Sequence, residues 1–170
     1  TVVCSDKTGT LTMNEMTVKA IITADTCYRV DGNSYEPVGN IYLEGSDEPV
    51  LIQPGTVLEQ YLRTIDLCND SQLIQDERGL WGITGGPTEG ALKVLAAKAR
   101  LTPVMTSLVN KIPFDSQYKY MSTHYQIGGE EQILITGAPD VIFALCAQQQ
   151  PRNGAEAFNR AYWETELARY

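Results

Sequence analysis

Histidine is nearly absent from this sequence: His124 is the only one in 170 residues. A zinc site of common composition and a Ser-His-Asp triad both draw on imidazole, so the count argues against either. His124 falls in the alternating segment Tyr118 to Ile127 and reads as a strand residue rather than a ligand. Cysteine is sparse and scattered. Cys4, Cys27, Cys68 and Cys146 form no CxxC pair, and their spacing predicts small buried thiols rather than disulfides or metal ligands. Long apolar runs are missing too; no stretch approaches the roughly 20 residues that cross a bilayer. Thr1 leads straight into Val2-Val3-Cys4 with no basic region, so no cleavable leader is expected. Positive charge is the last shortage. Lys and Arg number 13 against 21 Asp and Glu, for a net charge of −8, and the cations are dispersed. Nucleic acid is therefore not an expected partner, because counterion release needs a basic face. Any phosphate ligand must be held by local donors instead of a general positive field.

What remains is an ordinary globular composition, with 43% hydrophobic and 20% charged residues, on a chain long enough for one cored domain and a stub of another. Thr1 to Cys4 reads as the end of a β-branched strand, and Met16 to Ile22 and Thr26 to Val30 as two more. Asp31-Gly32-Asn33 signals a turn, and the Gly-, Pro- and Asp-rich stretch from Tyr35 to Pro54 an exposed connection. Val57, Leu58, Tyr61, Leu62, Ile65 and Leu67-Cys68 predict a helix that Asn69-Asp70 breaks. A short hairpin is expected around Asp76 to Gly79. Thr88 to Ala99 predicts a second helix with Ala91, Leu92, Leu95 and Ala96 inward and Pro87 near its start. Strands follow at Lys111 to Phe114, Tyr120 to Ile127 and Gln132 to Ile135, then helices at Gly137 to Leu145 and Ala155 to Ala168. The order predicts an α/β protein of the α+β kind, an antiparallel sheet flanked by helices.

The chemistry is concentrated in Asp6-Lys7-Thr8-Gly9-Thr10-Leu11-Thr12. A carboxylate at the carboxyl end of an apolar strand sits where open α/β sheets collect reacting groups, and it can attack a phosphoryl group. The loop at Gly9 can aim backbone N–H groups at phosphate oxygens. Mg²⁺ would offset the charge between Asp6 and a triphosphate.

From Asp6 through Thr12 this run resembles, residue for residue, the phosphorylation motif of P-type ATPases. The resemblance implies that Asp6 becomes an aspartyl phosphate, with Lys7 and Thr8 in the catalytic segment. Mg²⁺ would be held by Asp6, by the backbone of Thr8 and by residues outside this chain. Haloacid-dehalogenase-like phosphatases share the core and carry an acid/base aspartate two residues after the nucleophile. Thr8 cannot serve as a base at neutral pH, which favours a pump that preserves its phosphoenzyme. Further segments are similar to the family: Asn14-Glu15-Met16-Thr17-Val18 to an outgoing hinge strand, and Tyr35-Glu36-Pro37-Val38-Gly39 to bacterial members of the calcium-type branch. Gly85-Gly86-Pro87-Thr88-Glu89-Gly90-Ala91-Leu92 resembles the family's Gly-Asp-Pro-Thr-Glu-Gly-Ala-Leu helix entry. Phe114, Lys119, Met121 and Ser122 resemble the adenine-pocket strands, and Gly137-Ala138-Pro139-Asp140 the Lys-Gly-Ala-Pro-Glu turn.

The resemblance implies a nucleotide pocket built from Glu89, Phe114, Lys119, Met121, Thr136, Gly137 and Ala138. Phe114 would stack on adenine, Glu89 would accept from its amino group, Lys119 would supply a cation, and Gly137 would admit close backbone approach. Three positions depart from the family pattern: Thr136 replaces a lysine, Gly86 an acid, and Ser116 an arginine of animal calcium pumps. These departures predict weak nucleotide binding with little discrimination between ATP, ADP and AMP. Residues 1–15 are expected to be a stub of the haloacid-dehalogenase-like phosphorylation domain and hinge. Residues 16–170 would form the nucleotide domain, with its last strand left open. The expected function is ATP binding for a cation pump, with a chain that binds ATP or ADP but does not hydrolyse ATP alone. Its implied partners are the remaining phosphorylation, actuator and transmembrane domains of one polypeptide in the plasma or inner membrane. A soluble phosphatase with a large cap and a non-catalytic adenine-binding module are the alternatives. The resemblance implies a transported ion, Ca²⁺ before Na⁺, K⁺, Mg²⁺ or H⁺, that would bind outside this chain, and a bacterial source.

Overall fold

A computed structural model describes residues 15–170; the expected strand at Thr1 to Cys4 and the Asp6 motif lie outside them. Strands β1 (Ala20–Ile22), β2 (Cys27–Val30) and β3 (Ile41–Leu43) form an antiparallel sheet in that order. Alternation sets its faces: Tyr28 and Val30 are buried while Arg29 between them is exposed, as the two-residue period of a half-buried strand requires.

Helix α1 (Val57–Leu67) lies on this sheet. Thr56 caps it by accepting from the Glu59 amide at 3.3 Å, which satisfies one of the donors a helix start leaves open. Leu58, Leu62 and Ile65 pack against Ile21, Tyr28, Val30 and Ile41 on one side and Leu95 and Ala96 of α2 (Pro87–Ala99) on the other. Leu62 has no exposed surface and Leu95 only 1%, so truncating either to alanine costs about 2–5 kcal/mol. Pro87 fits the first turn of α2, where its missing N–H is no loss. The hairpin β4 (Gln72–Gln75) and β5 (Trp81–Thr84) connects the helices, and Gly90 of α2 leaves room for Ile83 of β5.

The second three-stranded sheet is the meander β6 (Thr106–Asp115), β7 (Tyr120–Ile127) and β8 (Glu130–Gly137). Gly128 and Gly129, at φ 59° and 95°, turn β7 into β8, the positive dihedrals that a two-residue hairpin loop demands. Met121, Thr123 and Ile127 on the inner face of β7 are buried, and α1 touches β8, so α1 contacts both sheets. Helices α3 (Pro139–Leu145) and α4 (Arg160–Arg169) follow, separated by β9 (Gln148–Gln149) and β10 (Glu156–Ala157).

The α+β class and antiparallel pairing agree with expectation, but the strands are divided between separate sheets. Two local readings are corrected. The expected exposed connection at Tyr35 to Pro54 contains β3, and Tyr35 and Ile41 in it are 8% and 3% exposed, because burial of these side chains overrides the turn-rich composition around them. The last helix starts at Arg160, not Ala155. Asn159 caps it through the Tyr162 amide at 3.1 Å, and Gln149 accepts from the Asn159 amide at 2.9 Å, which fixes a β9–β10 hairpin ahead of it. Of the described cysteines only Cys68 is buried; Cys27 is half-buried and Cys146 exposed, all as free thiols.

Candidate functional site

The end of the second sheet where β6 passes into β7 is irregular. Ile112 faces Ser122 and Asp115 faces Tyr120 across the ladder, so Pro113 and Phe114 together oppose Met121. Such a bulge on an edge strand accommodates a proline that cannot donate to the ladder. Phe114 remains 51% exposed; an aromatic ring half in water is not a core residue, and its surface is open to a ligand.

Asp115 shapes the next turn, accepting at 2.7 Å from the Gln117 amide through its side chain and at 2.7 Å from the Lys119 amide through its carbonyl. Lys119 is thereby held at φ 57°, a left-handed conformation uncommon for lysine and concentrated at functional sites. Its carbonyl accepts from the Ala138 amide at 2.9 Å. Its ammonium donates to the Asp140 carboxylate at 3.0 Å. That hydrogen bond from Lys119 is the main cause of a lowered Asp140 pKa. The stabilisation is therefore present above the ordinary carboxylate pKa and is lost as pH falls through the lowered one.

Gly137 is fixed by proximity, not by its dihedral. A Cβ there would lie 2.6 Å from the Lys119 carbonyl oxygen and 2.8 Å from the Tyr120 Cα. Backbone cannot yield as a side-chain tip can, so we expect Gly137→Ala to cost about 2 kcal/mol by forcing β7 and β8 apart. Urea unfolding checks this; an unchanged midpoint would contradict the close approach.

Met121 and Thr136 are register partners. Met121 is 2% exposed. Thr136 is half-buried, and its hydroxyl donates to the Cys68 carbonyl at 3.2 Å. Glu89, in the first turn of α2, is half-buried. Its carboxylate oxygen would stand 2.5 Å from a Cβ at Gly86; the acid expected at that position would displace it. Ser116 lies exposed in the turn between β6 and β7.

Lys119, Met121, Thr136, Gly137 and Ala138 thus come together at one end of the sheet, with Phe114 on the adjoining edge strand. Glu89 joins from α2 through Asn69, whose side-chain amide donates to the Glu89 carbonyl at 2.9 Å. Asp6, Lys7 and Thr8 lie outside the described residues. Sequence reasoning missed the Cys68–Ser71 turn, in which Asn69-Asp70 registers only as a helix stop. It also missed Asp140 as the partner of Lys119. No group of three or more acidic, histidine or cysteine side chains that would hold a metal occurs among the described residues. His124 stands in β7 with Nε2 3.4 Å from Glu131. A cavity of about 570 Å³ between β2 and α4 is lined by Asp25, Glu44 and Glu166 together with Arg152; three carboxylates against one guanidinium make it unfavourable for phosphates.

The α+β domain thus carries a half-exposed aromatic, a lysine in a left-handed backbone conformation and a glycine-permitted close approach at one sheet end. Residues 57–161 match the family model described as P-type ATPase, cytoplasmic domain N. The chain belongs to this family. It is 42% identical over 154 residues to the cation-transporting ATPase pma1 of Synechocystis, covering 86% of this chain and 17% of that protein. It is similar to a calcium-transporting ATPase of Bacillus subtilis, at 35% over 146 residues, 83% of this chain and 16% of that one. The human calcium-transporting ATPase type 2C member 2 is 32% identical over 151 residues, 85% of this chain and 15% of that protein. The chain therefore spans about a sixth of the length of these relatives. Among the described residues no helix is long and apolar enough to cross a membrane.

Proposed function

We propose that this chain binds ATP for a P-type pump that moves a cation across a membrane through an aspartyl phosphate on Asp6. The observation that carries the reading is the gathering of Phe114, Lys119, Met121 and Thr136 to Ala138 at one end of the β6–β8 sheet, with Glu89 tied to it. Phe114 presents its ring to the adenine, Glu89 accepts from the exocyclic amine, and Lys119 supplies a cation near the base or the phosphates. The polypeptide would supply the rest of the phosphorylation domain, the actuator and the membrane domain. Magnesium, when bound beside Asp6, offsets charge on the transferring phosphoryl group. The relatives' names, calcium-transporting in Bacillus and human, support Ca²⁺ as the cargo. Those same names lend nothing to the soluble-phosphatase or non-catalytic readings.

Thr136 provides the test. Threonine brings no charge, so the native pocket should separate ATP, ADP and AMP poorly. Thr136→Lys adds a charged donor, a gain of about 1.5–3 kcal/mol in binding, and removes the hydroxyl bond to Cys68, a cost of about 0.5–1.5 kcal/mol to folding. The expectation is roughly tenfold or more tighter ATP binding at low salt. The gain should shrink from ATP to AMP and fade as salt screens it. Titration of both proteins with the three nucleotides at two salt concentrations measures this. A folded variant that binds ATP no better at low salt would remove residue 136 from the phosphate environment.

A further inference from the structure

Four consecutive residues after α1 reach out to the elements that carry the site. The buried Cys68 thiol donates to the Leu134 carbonyl of β8 at 3.4 Å and more weakly to the Met121 carbonyl of β7 at 3.6 Å. Asn69 donates to the Glu89 carbonyl of α2 at 2.9 Å and to the Ile65 carbonyl of α1 at 3.2 Å, while its side-chain oxygen accepts from the Ser71 amide at 2.8 Å. Asp70 pairs with Lys111 of β6. Ser71 donates to the Gly86 carbonyl, the N-cap of α2, at 3.5 Å, and Gly85 has no room for a Cβ because Ser71 Oγ would stand 2.7 Å from it. Sheet and helix contribute to one site only if something fixes their spacing, and misplacement on the ångström scale is costly. Two of these contacts converge on the turn that carries Glu89, the group on α2 that would read the base.

We infer that Cys68–Ser71 is a positioning clamp that sets the distance between the α2 entry and the end of the β6–β8 sheet, with Asn69 as the residue that places Glu89 for adenine. The inference rests on the nucleotide reading above. Asn69 does not touch the base; it acts through Glu89. Its loss should therefore reduce preference for adenine over a base that carries a carbonyl in place of the exocyclic amine. A residue with a merely structural role would weaken both nucleotides equally, or neither.

The experiment titrates ATP and ITP into the native chain, Glu89→Ala, Asn69→Ala and Asn69→Asp. Asn69→Asp keeps the acceptor for the Ser71 amide and the side-chain shape but removes the donor to Glu89, so it serves if Asn69→Ala does not fold. The native chain should prefer ATP, and Glu89→Ala should lose that preference. Each Asn69 variant should lose about two- to tenfold of it, the scale of one hydrogen bond. Asn69→Ala in the Glu89→Ala background should add no further loss of preference, because the two act as one unit. A native chain that binds neither nucleotide would overturn the nucleotide reading, and one that binds ATP and ITP equally would overturn the role of Glu89 and the clamp with it. A native preference that Glu89→Ala abolishes but Asn69→Asp leaves intact would overturn the clamp alone. So would equal weakening of ATP and ITP.

Discussion

Asp6→Asn in the full-length protein is expected to abolish the acid-stable phosphoenzyme and to reduce ATP turnover on the order of 10⁴-fold or more. An amide lacks the anionic oxygen that attacks the γ-phosphoryl group, and no neighbouring group in Asp6-Lys7-Thr8-Gly9-Thr10 replaces it. Asparagine is close in size to aspartate, so the substitution should leave folding intact. Nucleotide binding should persist, because the proposed adenine contacts lie between Glu89 and Ala138, in other segments of the chain. Labelling with γ-phosphate-labelled ATP and Mg²⁺, acid precipitation and peptide mapping read the first effect; equilibrium titration reads the second. Label retained by the Asp6→Asn protein would move the phosphorylation elsewhere in the polypeptide.

Phe114→Ala is expected to weaken ATP, ADP and AMP alike, by roughly ten- to a hundredfold, the scale of one aromatic face lost from a stacked base. The uniformity matters as much as the size. All three ligands carry the same base, so a stacking residue cannot distinguish them, whereas the cation at Thr136→Lys should. Because Phe114 is 51% exposed on an edge strand, its removal should leave folding nearly intact and make the binding loss readable. Phe114→Trp, which keeps a ring at the bulge, should retain most of the affinity. Undiminished binding by a folded Phe114→Ala protein would relocate the base.

Much of the fold is legible in the sequence where one periodic face meets one core. Leu58, Leu62 and Ile65 recur at helical spacing and define α1, and Ala91, Leu95 and Ala96 do the same for α2, although Val94 at 2% exposure is not singled out by the pattern. The bounds of β7 coincide with the strand expected at Tyr120 to Ile127. Short strands are less legible. β3 has three residues and β9 and β10 two each, too few for a period to emerge. The site divides the same way. Phe114, Lys119 and the Gly137 turn are readable one by one through their resemblance to the family. The reason for Gly137, a close approach to the Lys119 backbone, exists only once β7 and β8 are in register. The Cys68–Ser71 clamp is invisible in sequence for a similar cause: its hydrogen bonds run from side chains to backbone groups of other elements and leave no spacing of their own.

The most direct test of the central claim is an NMR titration of this chain with ATP, followed residue by residue at the backbone amides. Saturable shifts should cluster at Phe114, at Lys119 to Met121, at Thr136 to Ala138 and at Glu89, with smaller ones at Asn69 and Ser71. They should be reproduced by AMP, since the base and not the phosphates provides the contacts at Phe114 and Glu89. Shifts confined to the acidic cavity around Cys27, Glu44 and Glu166, or no saturable shifts at millimolar ATP, would contradict the account.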